Sequence, residues 1–364
     1  MKIGGIVVEY NPFHYGHLRH IETTKKLTQC ELLIAVMSGN FVQRGEPAII
    51  DKWQRCQAAL NHGVDLVIEL PYIYTTQAAH IFAQKAVETL INAGCNMMCF
   101  GSETNNLEEL KEIAGLPVNV TNLKERLRKG ESFPKAYGLL ADSIYPNDAL
   151  NVCYIRANQD RMQLYSIQRD SDYNSDDMHT HAGASAIRKA IFNNEDYRLA
   201  TPLEINNPVQ LSDYYPYLRQ ILIMRQREEL QKYFLVEEGI EKLLKDKAFK
   251  YANFEDFINN CISKRYTRSR IQRMLIHILN EDTKEEVHKV KDYQYLRVLG
   301  FNQKGQAYLK ENKDLNFITS FKEIAPSFKV FEERALHLYT YLFDEEERQY
   351  LLKRELQAPL ILKD

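Results

Sequence analysis

The sequence predicts an α/β fold in which a parallel sheet with flanking helices occupies the first part of the chain and helices alone fill the rest. Three observations carry this. Short apolar runs alternate with stretches of helical periodicity through the first half, the signature of successive βαβ units. Beyond about residue 200 the strand signals fade and amphipathic helical stretches dominate. The first apolar run also stops at Asn11-Pro12, a structural break, just before His14-Tyr15-Gly16-His17 opens a helical stretch.

Taken in order, the strands are Ile3–Val8, Leu32–Met37, Leu66–Leu70, Met97–Phe100 and Gln163–Arg169, each short, apolar and bounded by turn residues. Helical patterns lie between them at Gly16–Leu27, Asp51–His62 and Gln77–Asn92, with further helical segments between Leu107 and Arg156. Pro202 and Asn206-Asn207-Pro208 mark a hinge. After it come Tyr214–Glu229, Ile240–Ala248, Arg268–Leu279 and Phe331–Tyr341, all read as helices.

Composition narrows the class. A chain of 364 residues, 45% apolar and 26% charged, buries a sizeable core and divides naturally in two. A formal net charge of −2 means that any nucleic-acid surface must be a local patch. No run reaches the ~18 apolar residues of a membrane span, and the first residues read as strand rather than as a leader peptide, so the expectation is a cytoplasmic protein with no membrane partner. Six cysteines lack the spacing of a disulfide framework or a zinc site and read as reduced thiols. No metal ligand set is expected.

The chemistry concentrates at loops that follow strands. The run from Val7 to His17 joins a strand, a tight loop and a helix start, where unpaired N–H groups and the helix dipole favour phosphate. His14 and His17 fall on one helical face, and Gly16 keeps the approach of a nucleotide open. Ser38 to Pro47 forms a polar, glycine-containing loop after the second strand. There Arg44 offers a planar fork and Lys52 a point charge for a carboxylate or phosphate, although a solvated loop fits the same composition. Phe100-Gly101-Ser102-Glu103 ends the fourth strand where a ligand can lie against backbone. Pro146-Asn147-Asp148 suits either a base or ribose contact or a helix cap. Ser185 and Arg188, one turn apart at a helix start, form a second phosphate clamp opposite the histidines.

Together, His14-x-Gly16-His17 and Ser185-Ala186-Ile187-Arg188 resemble the nucleotidyltransferase superfamily. The longer runs Val8–His14, Gly39–Pro47, Asp65–Pro71 and Phe100–Glu103, with Ser171-Asp172-Tyr173 and Tyr266–Arg270, resemble the bacterial tRNA(Met) cytidine acetate ligase family over nearly the whole chain. The resemblance implies a Rossmann-like nucleotidyltransferase domain over residues 1–200 and an all-helical tRNA-binding domain over 201–364. It implies that acetate and ATP, the latter as its Mg2+ complex, give acetyl-adenylate and pyrophosphate. The acetyl group then passes to N4 of the wobble cytidine of elongator tRNA(Met). His14, His17 and Arg188 would carry the catalysis. Val7, Val8, Glu9, Tyr10, Asn11, Pro12, Phe13, Gly16, His20, Gly101, Asn147, Arg169 and Ser185 would contact ATP. Two departures stand out: Tyr15 replaces the usual asparagine and must point away from ATP, and Asp148-Ala149-Leu150-Asn151 replaces a second asparagine and a glycine.

A nucleic-acid patch is legible without the family. Phe257–Asn280 holds no acidic residue, while Lys264, Arg265, Arg268, Arg270 and Arg273 cluster. A helix from Thr267 puts Ile271, Met274, Leu275 and Ile278 on one face and Arg270, Arg273 and His277 on the other. Tyr266 suits base stacking or packing equally. Two alternatives remain: a small-molecule adenylyltransferase or carboxylate–amine ligase, which has no need of a basic helical face, and a noncatalytic nucleotide or RNA binder, which has no need of the histidine pair.

Overall fold

The computed structural model describes residues 1–117, 144–169, 182–237, 239–290 and 295–363. The Ser171-Asp172-Tyr173 motif lies outside them.

The central sheet contains β1 (Ile3–Val8), β2 (Leu32–Ser38), β5 (Leu66–Leu70), β6 (Met97–Ser102), β7 (Gln163–Gln168), β8 (Leu296–Phe301), β9 (Phe317–Ile318) and β10 (Leu360–Ile361), while β3 (Phe41–Val42) and β4 (Glu46–Pro47) form a separate two-stranded hairpin. The sheet order is β10-β8-β5-β2-β1-β6-β7, with β9 beside β8. β1, β2, β5, β6 and β7 pair in parallel, as the alternation of strands and helices predicts. Both faces of β2 and β5 are buried, so alternate residues enter opposite cores, whereas β7 at the edge is partly exposed. Leu32, Ile34 and Val36 join Val87 and Leu90 of the helix Ala79–Asn92, whereas Leu33, Ala35 and Met37 join Ile21, Trp53 and Leu60 on the far side.

Chain direction across the sheet changes at β1: β2 and β5 lie to one side of it, β6 and β7 to the other. This leaves a crevice over the carboxyl ends of β1 and β6, the place where open α/β sheets hold ligands.

The second half is mainly helical but not wholly so. Leu296–Phe301, unread as a strand because Arg297 interrupts it, pairs antiparallel with β5, and β10 then pairs with β8. The reason is edge protection: β5 is fully buried, and without β8 it would leave a row of unpaired backbone groups beside an apolar strand. Arg297 is accommodated because its guanidinium meets Glu69 and Glu355, both at 2.7 Å. The turn around residues 200–209 is stitched to the first half. Thr201 Oγ1 donates to the Phe13 carbonyl at 2.6 Å, and Val209 N–H to the Ile49 carbonyl at 3.2 Å.

The helix Arg268–Leu279 rests on the β3–β4 hairpin. Gly45, at φ +77°, touches it so closely that a Cβ there would lie 2.3 Å from the Arg273 backbone nitrogen. A side chain at residue 45 would separate the two elements.

Candidate active site

The first turn of the helix Tyr15–Thr28 is capped by its own histidines. His14 is the N-cap, with extended backbone, and its Nδ1 accepts the Gly16 N–H at 3.1 Å. His17 Nδ1 in turn accepts the His14 N–H at 3.3 Å, and the two rings lie 3.8 Å apart. Gly16 is needed here because a Cβ would come within 2.8 Å of the His14 ring. Since both Nδ1 atoms accept, each neutral ring carries its proton on Nε2, as a donor.

The rings are held neutral. Burial, then the charges of Arg169 and Arg188, bring His14 down to about 3. Burial and its neighbours His14, Arg169 and His20 hold His17 well below its ordinary value. Burial and Arg169 take His20 to about 4. His20 Nε2 is buried with no hydrogen-bond partner among the described residues.

A cleft of about 590 Å³ opens at this helix start. Val7, Val8, Glu9, Tyr10, Asn11, His14, Gly16, His17 and His20 are among its lining residues, with Gly101, Asn147, Arg169, Ser185 and Arg188. Arg188 Nη1 donates to the Asn11 carbonyl at 2.7 Å and Nη2 to Ser185 Oγ at 3.4 Å, so among the described residues its hydrogen bonds go to neutral oxygens, while its charge is felt by the Glu9 carboxylate. The Glu9 carboxylate accepts the Gln43 N–H at 2.8 Å, and its pKa is raised by burial.

Asn147 and Asp148 behave as a pair of reciprocal braces. Glu103 accepts Asn147 Nδ2 at 2.5 Å and the Asp148 N–H at 3.0 Å, capping the helix Pro146–Asn158. Asp148 accepts the Ser102 hydroxyl at 2.5 Å and the N–H groups of Glu103 and Thr104. The departure at residue 148 therefore supports the turn after β6, while Asn151, one helical turn on, lines the cleft and donates to the Gly101 carbonyl at 3.0 Å. Tyr15 is absent from the cleft wall, in keeping with its expected outward orientation.

Several expected residues lie elsewhere. Phe13 is fully buried in the core against Tyr10 and His62, and Pro12 is buried behind the cleft wall. Arg44 reaches the cleft but Lys52 does not. Its ammonium, 3% exposed, is bonded to Glu69 at 2.8 Å and Glu355 at 2.7 Å. Two carboxylates fix it in the interior, so it is withdrawn from the acetate or phosphate role. Arg55 is likewise internal, its guanidinium spent on the carbonyls of Ile50, Glu9, Ser38 and Gly39.

The basic run divides. Lys264 is exposed and Arg265 half-buried. Arg268 is engaged by Glu255 at 2.6 and 2.8 Å. Arg270 covers the Tyr266 ring at 4.7 Å, and Tyr266 is itself buried, its hydroxyl on the Glu237 carbonyl. Arg273 donates to the Gln43 carbonyl at 3.2 Å, and burial, then Arg270, lower it to about 10. His277 is not on a solvated face. It is fully buried, between Asp282 at 2.7 Å and the Thr76 carbonyl at 3.1 Å. The far turns of this helix are enclosed because the helix packs on both the hairpin and the helical half.

Gln43 and Glu46 line the cleft from the Ser38–Pro47 loop that sequence reasoning singles out, whereas it misses Arg19, His80 and Asn151. Two had a signal. His80 lies in the first turn of the helix Ala79–Asn92, between β5 and β6, a position that faces a switch-point cleft, and Asn151 lies four residues from Asn147.

Residues 1–354 match the family model described as HIGH Nucleotidyl Transferase. A tRNA(Met) cytidine acetate ligase of Oceanobacillus iheyensis is 35% identical, covering 98% of this chain and 99% of its own length. The Bacillus subtilis protein of the same name is 38% identical over 86% of this chain and 85% of its own. Among solved structures, Thermotoga maritima TmcAL bound with alpha-thio ATP superposes with a TM-score of 0.87 at 32% identity, covering 100% of both chains. The chain belongs to the HIGH nucleotidyl transferases, within the tRNA(Met) cytidine acetate ligase family.

Proposed function

We propose that the protein activates acetate with ATP and transfers the acetyl group to N4 of the wobble cytidine in elongator tRNA(Met). The observation that carries the first step is the cleft's donor set, with neutral Nε2–H imidazoles at a helix start and Arg188 bonded, among the described residues, to neutral oxygens. Acetate oxygen attacks the α-phosphorus and pyrophosphate leaves. Acetate is already an anion, so the barrier is one of positioning and of charge building on phosphate oxygens. Imidazole N–H donors and the helix start meet that charge without themselves giving up a proton. Arg188, Ser185 and Arg169 would hold the distal phosphates, and magnesium would enter with the nucleotide as Mg-ATP. Residues 1–200 would supply this chemistry.

The tRNA assignment is supported by the basic run of residues 264–273 and by its position. The helix that carries it touches the hairpin whose loop lines the cleft. Residues 201–364 would hold the RNA, and a tRNA substrate places the enzyme in the cytoplasm.

The test is acetate-dependent pyrophosphate release from ATP, with and without unmodified tRNA, while acetylcytidine is followed in the RNA. Both signals together are the expected result. Adenylation without transfer would move the protein to the small-molecule ligases of the same superfamily, and no acetate dependence would overturn the reading.

A further inference from the structure

The cleft has a second wall that nucleotide activation leaves unused. Gln43, Arg44 and Glu46 of the hairpin, with Ala79, His80 and Phe82 of the helix Ala79–Asn92, line it. These elements follow β2 and β5, whereas Gly101 and Asn147 follow or face β6 on the other side of β1. Among the described lining residues, Glu9 and Glu46 are the acidic ones. A carboxylate repels a triphosphate, so its place in this cleft calls for a different ligand group. Glu9 is committed to the Gln43 N–H. Glu46 is oriented by Gln272, whose Nε2 donates to Oε1 at 2.8 Å from the helix of the basic run.

We propose, on the strength of the function argued above, that this wall is the acceptor subsite. It takes the cytosine ring of the tRNA, with Glu46 receiving one N4 hydrogen and His80 removing the other. An exocyclic amine is a donor, and a carboxylate is its natural acceptor. A base brought to a cleft must leave its stack, and the basic helix adjoining Gln43 guides the backbone to that point. His80 lies in the first turn of a helix that lacks a side-chain cap, where the positive helix end disfavours an imidazolium. Burial, then the charge of Arg273, act in the same direction. The imidazole is therefore held in its neutral form at neutral pH.

The step balances without another reactant. The N4 lone pair attacks the acetyl carbonyl of acetyl-adenylate, the bond from that carbon to the phosphate oxygen breaks, and AMP leaves with the electron pair. The N4 proton passes to His80 and then to water, leaving N4-acetylcytidine.

The experiment separates the half-reactions. Acetate-dependent exchange of pyrophosphate into ATP, and capture of acetyl-adenylate by hydroxylamine, report activation without RNA. Single-turnover transfer to unmodified elongator tRNA(Met) reports the second step. His80→Gln should keep exchange and hydroxamate formation within about threefold while transfer falls on the order of 100-fold, with tRNA affinity retained. Glu46→Gln, which preserves shape and packing, should lower transfer about tenfold with exchange retained, by loss of one oriented acceptor. Parallel loss of exchange and transfer overturns the proposal by placing the wall in the acetate or ATP site. Unchanged transfer in His80→Gln also overturns it. A wild-type enzyme that forms hydroxamate but leaves tRNA unacetylated overturns the tRNA reading itself, and the subsite with it.

Discussion

Two groups of cations face opposite fates in this protein. In the cleft, the hydrogen bonds of Arg188 to described residues go to a carbonyl and a hydroxyl, which orient the guanidinium without an ion pair, although Glu9 feels its charge. Below β5, Lys52 and Arg297 are enclosed by Glu69 and Glu355 at 2.7–2.8 Å. Although burial opposes ionisation of Glu355, Arg297 and Lys52 pull it down to about 2. Nearby Glu332 is pushed up to about 8 by burial and by Glu69. A cation whose partners are neutral remains available to an anionic ligand, whereas one whose partners are carboxylates has become part of the scaffold. Residue type does not distinguish them; the partner does.

The sharpest way to break this contrast is to exchange the consequences. Arg188→Ala should reduce acetate-dependent pyrophosphate exchange by roughly 100- to 1,000-fold with little change in melting temperature. His17→Ala should lower exchange as much while also losing about 0.5–2 kcal/mol of stability with its cap on the His14 N–H. Lys52→Met should do the reverse. Removing one partner from a buried cluster costs about 3–5 kcal/mol, read by chemical denaturation, while exchange per folded molecule stays near wild type. If Lys52→Met abolishes exchange in folded enzyme, the assignment of Lys52 to the scaffold is wrong.

The histidines sharpen the comparison through pH. His14 and His20 have folded values of about 3 and 4 against 6.5 for the free side chain. The unfolded chain therefore binds protons that the folded chain refuses. The stability contributed by neutral rings is complete above about 6.5 and is lost as pH falls toward 4 and then 3. His20→Gln should flatten the dependence of unfolding free energy on pH between those limits. The exchange rate of the wild type should show no histidine inflection between pH 5 and 8 (about the physiological span).

The smallest effects concern the RNA. Lys264→Ala should weaken tRNA binding a few-fold and reduce the slope of log affinity against log salt by about one. Arg268→Ala should change that slope less, because Glu255 already neutralises the guanidinium. Filter binding at several salt concentrations checks both.

Much of the site was legible because it is local. The strand, the Asn-Pro break and the histidine pair follow one another in the chain, so their proximity needs no tertiary information. Ser185 and Arg188 were legible for the same reason, one helical turn apart. The failures are nonlocal. Lys52 looked like a ligand until Glu355, far along the chain, closed on it. His277 satisfied the helical wheel as a solvated residue, but the helix is covered on that side and Asp282 receives its ring. Leu296–Phe301 hid its strand character behind Arg297, whose charge is tolerated only because Glu69 and Glu355 converge on it.

By itself the sequence determined the parallel α/β core, its histidine-capped helix start and the family resemblance, since periodicity and turn chemistry act over a few residues. Tertiary structure decided which charges remain open to a ligand, which strand seals β5, and how the basic helix meets the cleft. Those outcomes depend on which distant groups share a low-dielectric space, and the energy of a buried charge is set by that neighbourhood.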